Sequence, residues 1–393
     1  MTDYLKEAQE MAEEIVKNRR VFHGYAELGF DLPKTVNYVL EKLASYGIEA
    51  KRCGKGGVTA VIGKEGPVLI LRGDMDALPM YEETGLEFAS DHEACHSCGH
   101  DCHTAMLLGA AKLLKAHENE LKGRVKLMFQ PAEELLGGAA DMIANGLMED
   151  PKVDAAIGMH VATGKEPISQ VGNVSFFDGY STFSGDYIRI DVEGKQAHGS
   201  QPQAGVDAIN IAAHIVLALQ ELMARETSMG EPCVVLVGKI YGGSSCNTMS
   251  GECSLDVSVR AASAPMRAFL KQRVHEIAQG TAMTFRGKAT VTDVYGMPPM
   301  YNHPDMVACV PGYLGELLGK EHVIQRTERG GTEDFTAVAE LVPSIYLSIG
   351  AGHLAGEDIT NHNPKVLFDE RTLPIGAAVY AYTAARFLEE HAE

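Results

Sequence analysis

Residues 92–103 hold four of the chain's 15 histidines and three of its eight cysteines. The segment reads His92-Glu93-Ala94-Cys95-His96-Ser97-Cys98-Gly99-His100-Asp101-Cys102-His103. Thiolate, imidazole and carboxylate are the donors that borderline divalent metals prefer. A structural zinc site needs four closed ligands, usually as two Cys/His pairs, and no second C-x-x-C occurs in the chain. Cys95, Cys98 and Cys102 fit neither common iron–sulfur spacing. The plainer alternative is a loop with surplus histidines leading into a helix, because a single Cys or His is more often structural than a ligand.

Other acids and a histidine fall where they weaken that alternative. Asp74 and Asp76 stand just past the apolar run Val68–Gly73, and Glu133 and Glu134 just past Arg124–Gln130. His160 stands just past Ala155–Met159. Ligands of open α/β sheets bind at the carboxyl ends of strands, so the three places are expected to converge on one rim. Paired acids at a strand end are costly unless a cation neutralises them. One can then ligate a metal while the other takes a proton from activated water.

The elements that must position these residues alternate along the chain. Helices are expected over residues 2–20, 33–47 and 103–117, and strands over 58–63, 68–73, 124–130, 155–159 and 344–350. That order predicts an α/β layer with a mostly parallel sheet. The middle differs. Ile188, Ile190 and Val192 alternate with Arg189 and Asp191, then Ile209, Ala212, Val216 and Leu219 recur at helical spacing. Strands over 233–241 and 253–261, a helix over 264–281 and a strand over 288–295 complete a β-α-β-β-α-β unit of the ferredoxin-like kind. The expected architecture is one discontinuous α/β domain, 1–185 and 298–393, with a smaller domain, 186–297, inserted in it.

Composition sets the outer limits. The chain has 393 residues, a prior of two to three domains, with 45% hydrophobic and 22% charged residues, ordinary for a globular protein. Its formal charge of −19 repels phosphate backbones and argues against a nucleic-acid partner. The first residues lack a basic segment followed by an apolar run, so no secretory signal is read there. Apolar stretches such as Ile209–Leu219 fall short of the ~20 residues that span a bilayer. The expectation is a cytoplasmic protein without a membrane partner, whose cysteines stay reduced.

Several ordered motifs resemble the dinuclear-metal amidohydrolases that cleave N-acyl-amino acids: aminoacylases, hippurate hydrolases and hydrolases of auxin–amino acid conjugates. They are Arg19-Arg20-Val21-Phe22-His23 with Glu27-Leu28-Gly29-Phe30, Arg72-Gly73-Asp74-Met75-Asp76-Ala77-Leu78-Pro79, and Cys98-Gly99-His100-Asp101-Cys102-His103. Gln130-Pro131-Ala132-Glu133-Glu134, Gly158-Met159-His160-Val161, Gly331-Thr332-Glu333-Asp334-Phe335 and Asn361-His362-Asn363-Pro364 follow. The resemblance runs nearly end to end and implies a metallo-exopeptidase-like catalytic domain with an inserted lid or dimerisation domain. It implies that Cys98, His100, Glu134, His160 and His362 ligate two divalent ions, with Cys98 between them. Glu133 would be the general base and acid, and Asp76 would orient a ligand. His198, in Gly194-Lys195-Gln196-Ala197-His198, would stabilise the oxyanion, and Asn247 would contact substrate. Arg260 is a candidate for carboxylate binding, with a solvated sheet-face arginine as the alternative. His96 and His103 are expected to be structural or to stabilise neighbouring ligands. A Cys/His/Glu set accepts Zn, Mn, Co or Ni. A homodimer through the inserted domain is expected, with a small N-acyl-amino acid or related amide as substrate.

The chain departs from the family's pattern at Ala26, Leu135-Leu136, Ala208 and Asn247-Thr248-Met249-Ser250-Gly251. These lie in substrate-facing and lid segments, while every ligand position is kept. Two alternatives stand beside the amidohydrolase: a dipeptidase or carboxypeptidase-like exopeptidase with the same metals, and a metal-binding relative that has lost catalysis. G-x-S-x-G and Walker-type motifs are absent.

Overall fold

The apolar runs between residues 50 and 162 form strands, and five of the eight strands of one sheet come from them. The computed structural model describes residues 2–354 and 359–392. The chain divides into two compact units, the first made of the described residues up to Ser181, Tyr301–Glu328 and those from Asp334 on. Its main sheet has the order Ala50–Cys53, Gly57–Gly63, Arg124–Gln130, Val68–Asp74, Ala155–Ala162, Ser344–Gly350, Val174–Phe176, Val323–Gln325. The four central strands run parallel to one another. Antiparallel pairings flank them, Gly57–Gly63 on one side and Val174–Phe176 on the other. Every residue of Val68–Asp74 is buried, as a central parallel strand covered on both faces must be.

Helices His100–Ala116 and Thr372–Glu390 pack together against this sheet. They approach closely at glycines: a Cβ on Gly109 would lie 2.9 Å from that of Ala377, and one on Gly376 would overlap the Met106 side chain. Thr372–Glu390 is buried on most sides, so no single apolar stripe marks it in the sequence. The helix expected over 2–20 is two helices, Tyr4–Glu10 and Ala12–Tyr25, broken at Met11. The break turns Tyr4 and Ala8 on one side, and Ile15, Arg19, Phe22 and His23 on the other, into the interior. The helix expected from residue 103 begins earlier, at His100, and the strand expected to end at Met159 continues through His160 to Ala162.

The second unit comprises Thr182–Met300 with Arg329–Glu333. Four antiparallel strands lie in the order Cys233–Gly242, Glu252–Ala261, Gly185–Glu193, Lys288–Met297. Helices Ala208–Glu221 and Ala264–Thr284 cover one face, burying Ile211, Ile215, Leu219, Leu270 and Val274 against Ile188, Ile190, Leu255 and Val257. With the strand order 2-3-1-4 in a β-α-β-β-α-β chain, this is the ferredoxin-like arrangement. By length and composition one described helix, Ala208–Glu226, would suffice to cross a membrane, contrary to the sequence expectation. Its Ile211, Ala212, Ile215, Leu219 and Leu222 are buried in the core of this unit.

Candidate metal centre

Parallel strands deliver their carboxyl ends to one rim of the first unit, and the acids stand there. Strand Val68–Asp74 ends in Asp74, and Asp76 follows, both fully buried. Strand Arg124–Gln130 ends in a tight turn in which Ala132 (φ 51°) and Leu136 (φ 53°) adopt left-handed conformations. Such φ values are strained for side chains with a Cβ, and they persist only where surrounding contacts hold them. Gly29 O accepts the Ala132 amide and Glu133 O the Leu136 amide, and Asp76 holds Glu133 and Glu134 between them. Its Oδ1 accepts the Glu133 amide at 3.0 Å and its Oδ2 the Glu134 amide at 3.2 Å. Asp76 Oδ1 also lies 3.4 Å from His100 Nδ1.

Cys98 and His100 straddle the start of helix His100–Ala116. Gly99 between them has φ 90°, and a Cβ there would lie 2.4 Å from Val161 Cγ2. Only glycine lets this loop press against the strand that carries His160. His160 donates Nδ1–H to the Val161 carbonyl at 2.7 Å, which leaves Nε2 as a lone pair 3.3 Å from Cys98 Sγ. His362 Nε2 lies 3.3 Å from the same sulfur and 3.5 Å from Glu134 Oε1. The backbone of His362 (φ 65°) bonds to Ser97 O, and Asn361 Nδ2 bonds to Cys98 O, fastening this segment onto the thiol loop.

Two groups of donors result, Cys98/His100/His160 and Cys98/Glu134/His362, and they share one sulfur. Glu133 joins His100 and Glu134 in a further group at their edge. Every residue expected in the ligand set is therefore brought together, with Glu133 and Asp76 beside it. In a further grouping, Asp74/His100/His103, two of the three members, Asp74 and His103, are engaged by protein. Asp74 Oδ2 lies 2.6 Å from Arg72 Nη1, and both ring nitrogens of His103 are hydrogen-bonded.

The electrostatics fit a cation. His100 Nε2 and Glu134 Oε1 are buried and make no hydrogen bond among the described residues. Burial pushes the Glu134 carboxyl above its ordinary value, and His100 and His362 offset this only in part. Burial also pushes the Cys98 thiol up, against the pull of His100. Burial, with His103 next, holds His160 well below the usual imidazole range, so it is the neutral ring a metal binds. Buried donors left without partners, in a set of one sulfur, three imidazoles and a carboxylate, suit borderline divalent ions.

Support behind these groups was only partly legible. Arg19, Asp101, His23 and Glu82 form a buried chain: Arg19 Nε lies 2.7 Å from Asp101, and His23 bridges Asp101 at 2.8 Å and Glu82 at 3.0 Å. Burial alone would raise Asp101, but Arg19 and His23 hold it well below the carboxylate range. The motif Arg19–His23 was visible in the sequence without a role. The role is to anchor the first turn of the helix that carries His100. His96 is fully buried, forms no hydrogen bond among the described residues, and is brought down to about 3 by burial.

The remaining candidates belong to the second unit. His198 is exposed, in a two-residue strand paired with Thr248–Met249, and its Nδ1 accepts the Ser200 amide at 3.1 Å. Asn247 is tied to it, because the Gly199 amide donates to the Asn247 carbonyl at 2.8 Å. Arg260 stands apart from this pair and donates to Thr332 Oγ1 at 2.7 Å.

Soft and hard donors packed at the carboxyl rim of a mostly parallel sheet define an α/β protein with a candidate dinuclear metal centre. Comparison with known proteins narrows this. Residues 70–386 match Peptidase family M20/M25/M40, and the chain belongs to that family. It is 34% identical over 382 residues to the N-acetyl-L-cysteine deacetylase of Bacillus subtilis (strain 168), spanning 96% of this chain and 89% of that one. It is equally 34% identical over 382 residues to IAA-amino acid hydrolase ILR1-like 4 of Arabidopsis thaliana, spanning 95% and 85%. Among solved structures it resembles Bacillus subtilis YXEP, described as a dinuclear metal binding peptidase of the M20 family. The TM-score there is 0.82 at 28% identity, over 97% of this chain and 99% of that one.

Proposed function

We propose that this protein hydrolyses the amide bond of N-acyl-amino acids or related small amides, holding two divalent ions between Cys98, His100, Glu134, His160 and His362. The observation that carries the reading is the pair of donor groups sharing the Cys98 sulfur, with a second glutamate, Glu133, beside them. Bound there, Zn, Mn, Co or Ni would supply Lewis acidity toward the scissile carbonyl and the attacking water. Glu133, mostly buried and held by its amide to Asp76, accepts the water proton at its carboxylate and returns it to the leaving nitrogen. Asp76 keeps Glu133 and Glu134 in register with His100. His198 and Asn247, tied together by the Gly199 amide, serve as the lid's contacts to the substrate oxygens, and Arg260 to its carboxylate. The names of the N-acetyl-L-cysteine deacetylase and of the IAA-amino acid hydrolase support an N-acyl substrate.

The test is a panel of N-acyl-amino acids and dipeptides assayed on chelator-stripped protein, with and without each metal. Hydrolysis of the N-acyl compounds only after metal is restored is the expected result. Equal turnover in the metal-free protein overturns the mechanism, and a preference for dipeptides overturns the substrate class.

We also infer a homodimer through the inserted domain. Strand Cys233–Gly242 is an open edge whose Val234, Leu236 and Ile240 are each at least half exposed, and Leu217 of the covering helix is exposed as well. An apolar, unpaired edge of this length invites a second copy. The cytoplasm is the compartment that keeps the Cys98 thiol reduced.

A further inference from the structure

We propose that Asp74 and His103, which are not ligands themselves, form a positioning pair that sets the metal affinity of the Cys98/His100/His160 group and not that of Cys98/Glu134/His362. The inference rests on the reading of these groups as metal sites.

The starting point is a place where the sheet runs out. Strand Val68–Asp74 pairs with strand Ala155–Ala162 only as far as Arg72 opposite Gly158. Three residues further on, the Val161 amide has no strand partner on that side, and His103 Nε2 accepts it at 2.8 Å. An amide can only donate, so His103 Nε2 must be a lone pair and the neutral ring carries its hydrogen on Nδ1. That hydrogen goes to Asp74 Oδ1 at 2.5 Å. Asp74 is held in turn by Arg72 Nη1 at 2.6 Å, and its backbone carbonyl accepts Thr104 Oγ1–H at 2.7 Å. Arg72, Asp74 and His103 are each fully buried.

The far end of this chain is a ligand. The Val161 carbonyl fixes the tautomer of His160 and leaves its Nε2 toward Cys98. The His103 ring meets the His160 ring edge-on, with centroids 4.5 Å apart. His103 thus holds His160 twice, through the backbone of the next residue and through ring contact. Helix His100–Ala116 also carries His100 one turn before His103, so one rigid helix sets both a ligand and the clamp on another. No comparable contact from the pair reaches His362, which is fastened by Ser97 and Asn361 instead. Partners that orient a ligand are worth about 10- to 100-fold in metal affinity.

The experiment titrates Zn(II) into the metal-stripped full chain against a chromophoric chelator and resolves the two equivalents, with the apo-protein's thermal midpoint measured alongside. His103→Asn keeps a donor near the Nδ1 position but loses the Val161 acceptor; it should weaken one equivalent by about 10- to 100-fold and leave the other unchanged. His103→Gln keeps an acceptor near the Nε2 position and should lose less, and Asp74→Asn should weaken the same equivalent. His160→Ala identifies that equivalent. Parent-like binding in His103→Asn, when His160→Ala has lost an equivalent, overturns the pair's role alone. Parent-like binding in His160→Ala overturns the metal-site reading and the inference with it. Equal loss of both equivalents with a lowered apo midpoint also overturns the inference, because the pair would then act on the fold and not on one site.

Discussion

Asp76→Asn is the substitution that separates charge and acceptor count from volume at the centre. Two peptide amides, those of Glu133 and Glu134, end on the two different oxygens of Asp76, at 3.0 and 3.2 Å. Asparagine is nearly the same size but offers one acceptor and one NH2. One of the two amides must therefore face a donor. Leaving a buried donor without an acceptor costs about 1–3 kcal/mol. The turn it belongs to is already held in two left-handed conformations, at Ala132 and Leu136, so it has little reserve against release. Passed on to Glu134 as a ligand, about 1–3 kcal/mol is about a 5- to 150-fold loss of metal affinity. His100 also loses the carboxylate 3.4 Å from its Nδ1, which adds in the same direction.

The assay is competition titration of metal for affinity, followed by kcat at saturating metal, since Glu133 moves with the same turn and its misplacement persists after the site is filled. Asp76→Ala, which removes both acceptors, should lose at least as much as Asp76→Asn. Parent-like affinity and kcat in Asp76→Asn would refute the reasoning. So would a loss in Asp76→Ala with none in Asp76→Asn, because filled volume and not the two acceptors would then be what matters.

Glu133→Gln should bind the full complement of metal, measured by elemental analysis, while turnover falls about 10²- to 10⁴-fold, the usual contribution of a general base; turnover near the parent's rules Glu133 out. His23 is the pH probe. Burial alone would lower its pKa, but Asp101 and Glu82 raise it above the ordinary imidazole value. Its contribution to stability is therefore complete below about pH 6.5, the unfolded value, and lost as pH rises through the raised folded value. Denaturation of metal-free parent and His23→Gln across pH should show a gap that is widest in mild acid and narrows on the alkaline side; a gap that widens with pH contradicts the ion-pair account. Leu236→Asp, on the open edge strand, should shift the protein from dimer to monomer in sedimentation analysis while leaving its circular dichroism unchanged.

What the sequence shows of the fold divides along physical lines. Alternation is legible where one face is wet: Ile188, Ile190 and Val192 announce their strand because Arg189 and Asp191 interrupt them. Short, fully buried strands such as Val68–Asp74 are legible as β-branched runs bounded by glycine. Elements apolar on nearly every side, above all Thr372–Glu390, carry no period to read, since no face of them has to satisfy water. The short strands Val174–Phe176 and Val323–Gln325 escape for another reason. Three residues give too little pattern, and what makes them strands is the edge of a sheet that the rest of the chain has built.

The site divides in the same way, and the division says what kind of information a motif holds. Glu133, Glu134 and His160 are visible because their chemistry is unusual where they stand, and the strand-end rule brings them together before any coordinates do; Cys98 and His100 stand in a crowded segment from which only the resemblance singles them out. His362 lies at a distance along the chain that no local rule spans, and only its resemblance motif places it. Of the residues behind them, Arg19 and Arg72 stand in motifs that give them no role and His103 carries only the expectation of supporting its neighbours, because their function is relational. Arg19 matters through Asp101, Arg72 through Asp74, and His103 through an amide that has no strand beside it. A buried arginine inside a central strand is costly unless it is paired, so the Arg72 in Val68–Asp74 was a signal in its own right. Read as a demand for an acid, it leads to Asp74 two residues on, and from there to two imidazoles of one helix, His103 Nδ1 at 2.5 Å and His100 Nε2 at 3.5 Å, the first of which holds the backbone beside His160.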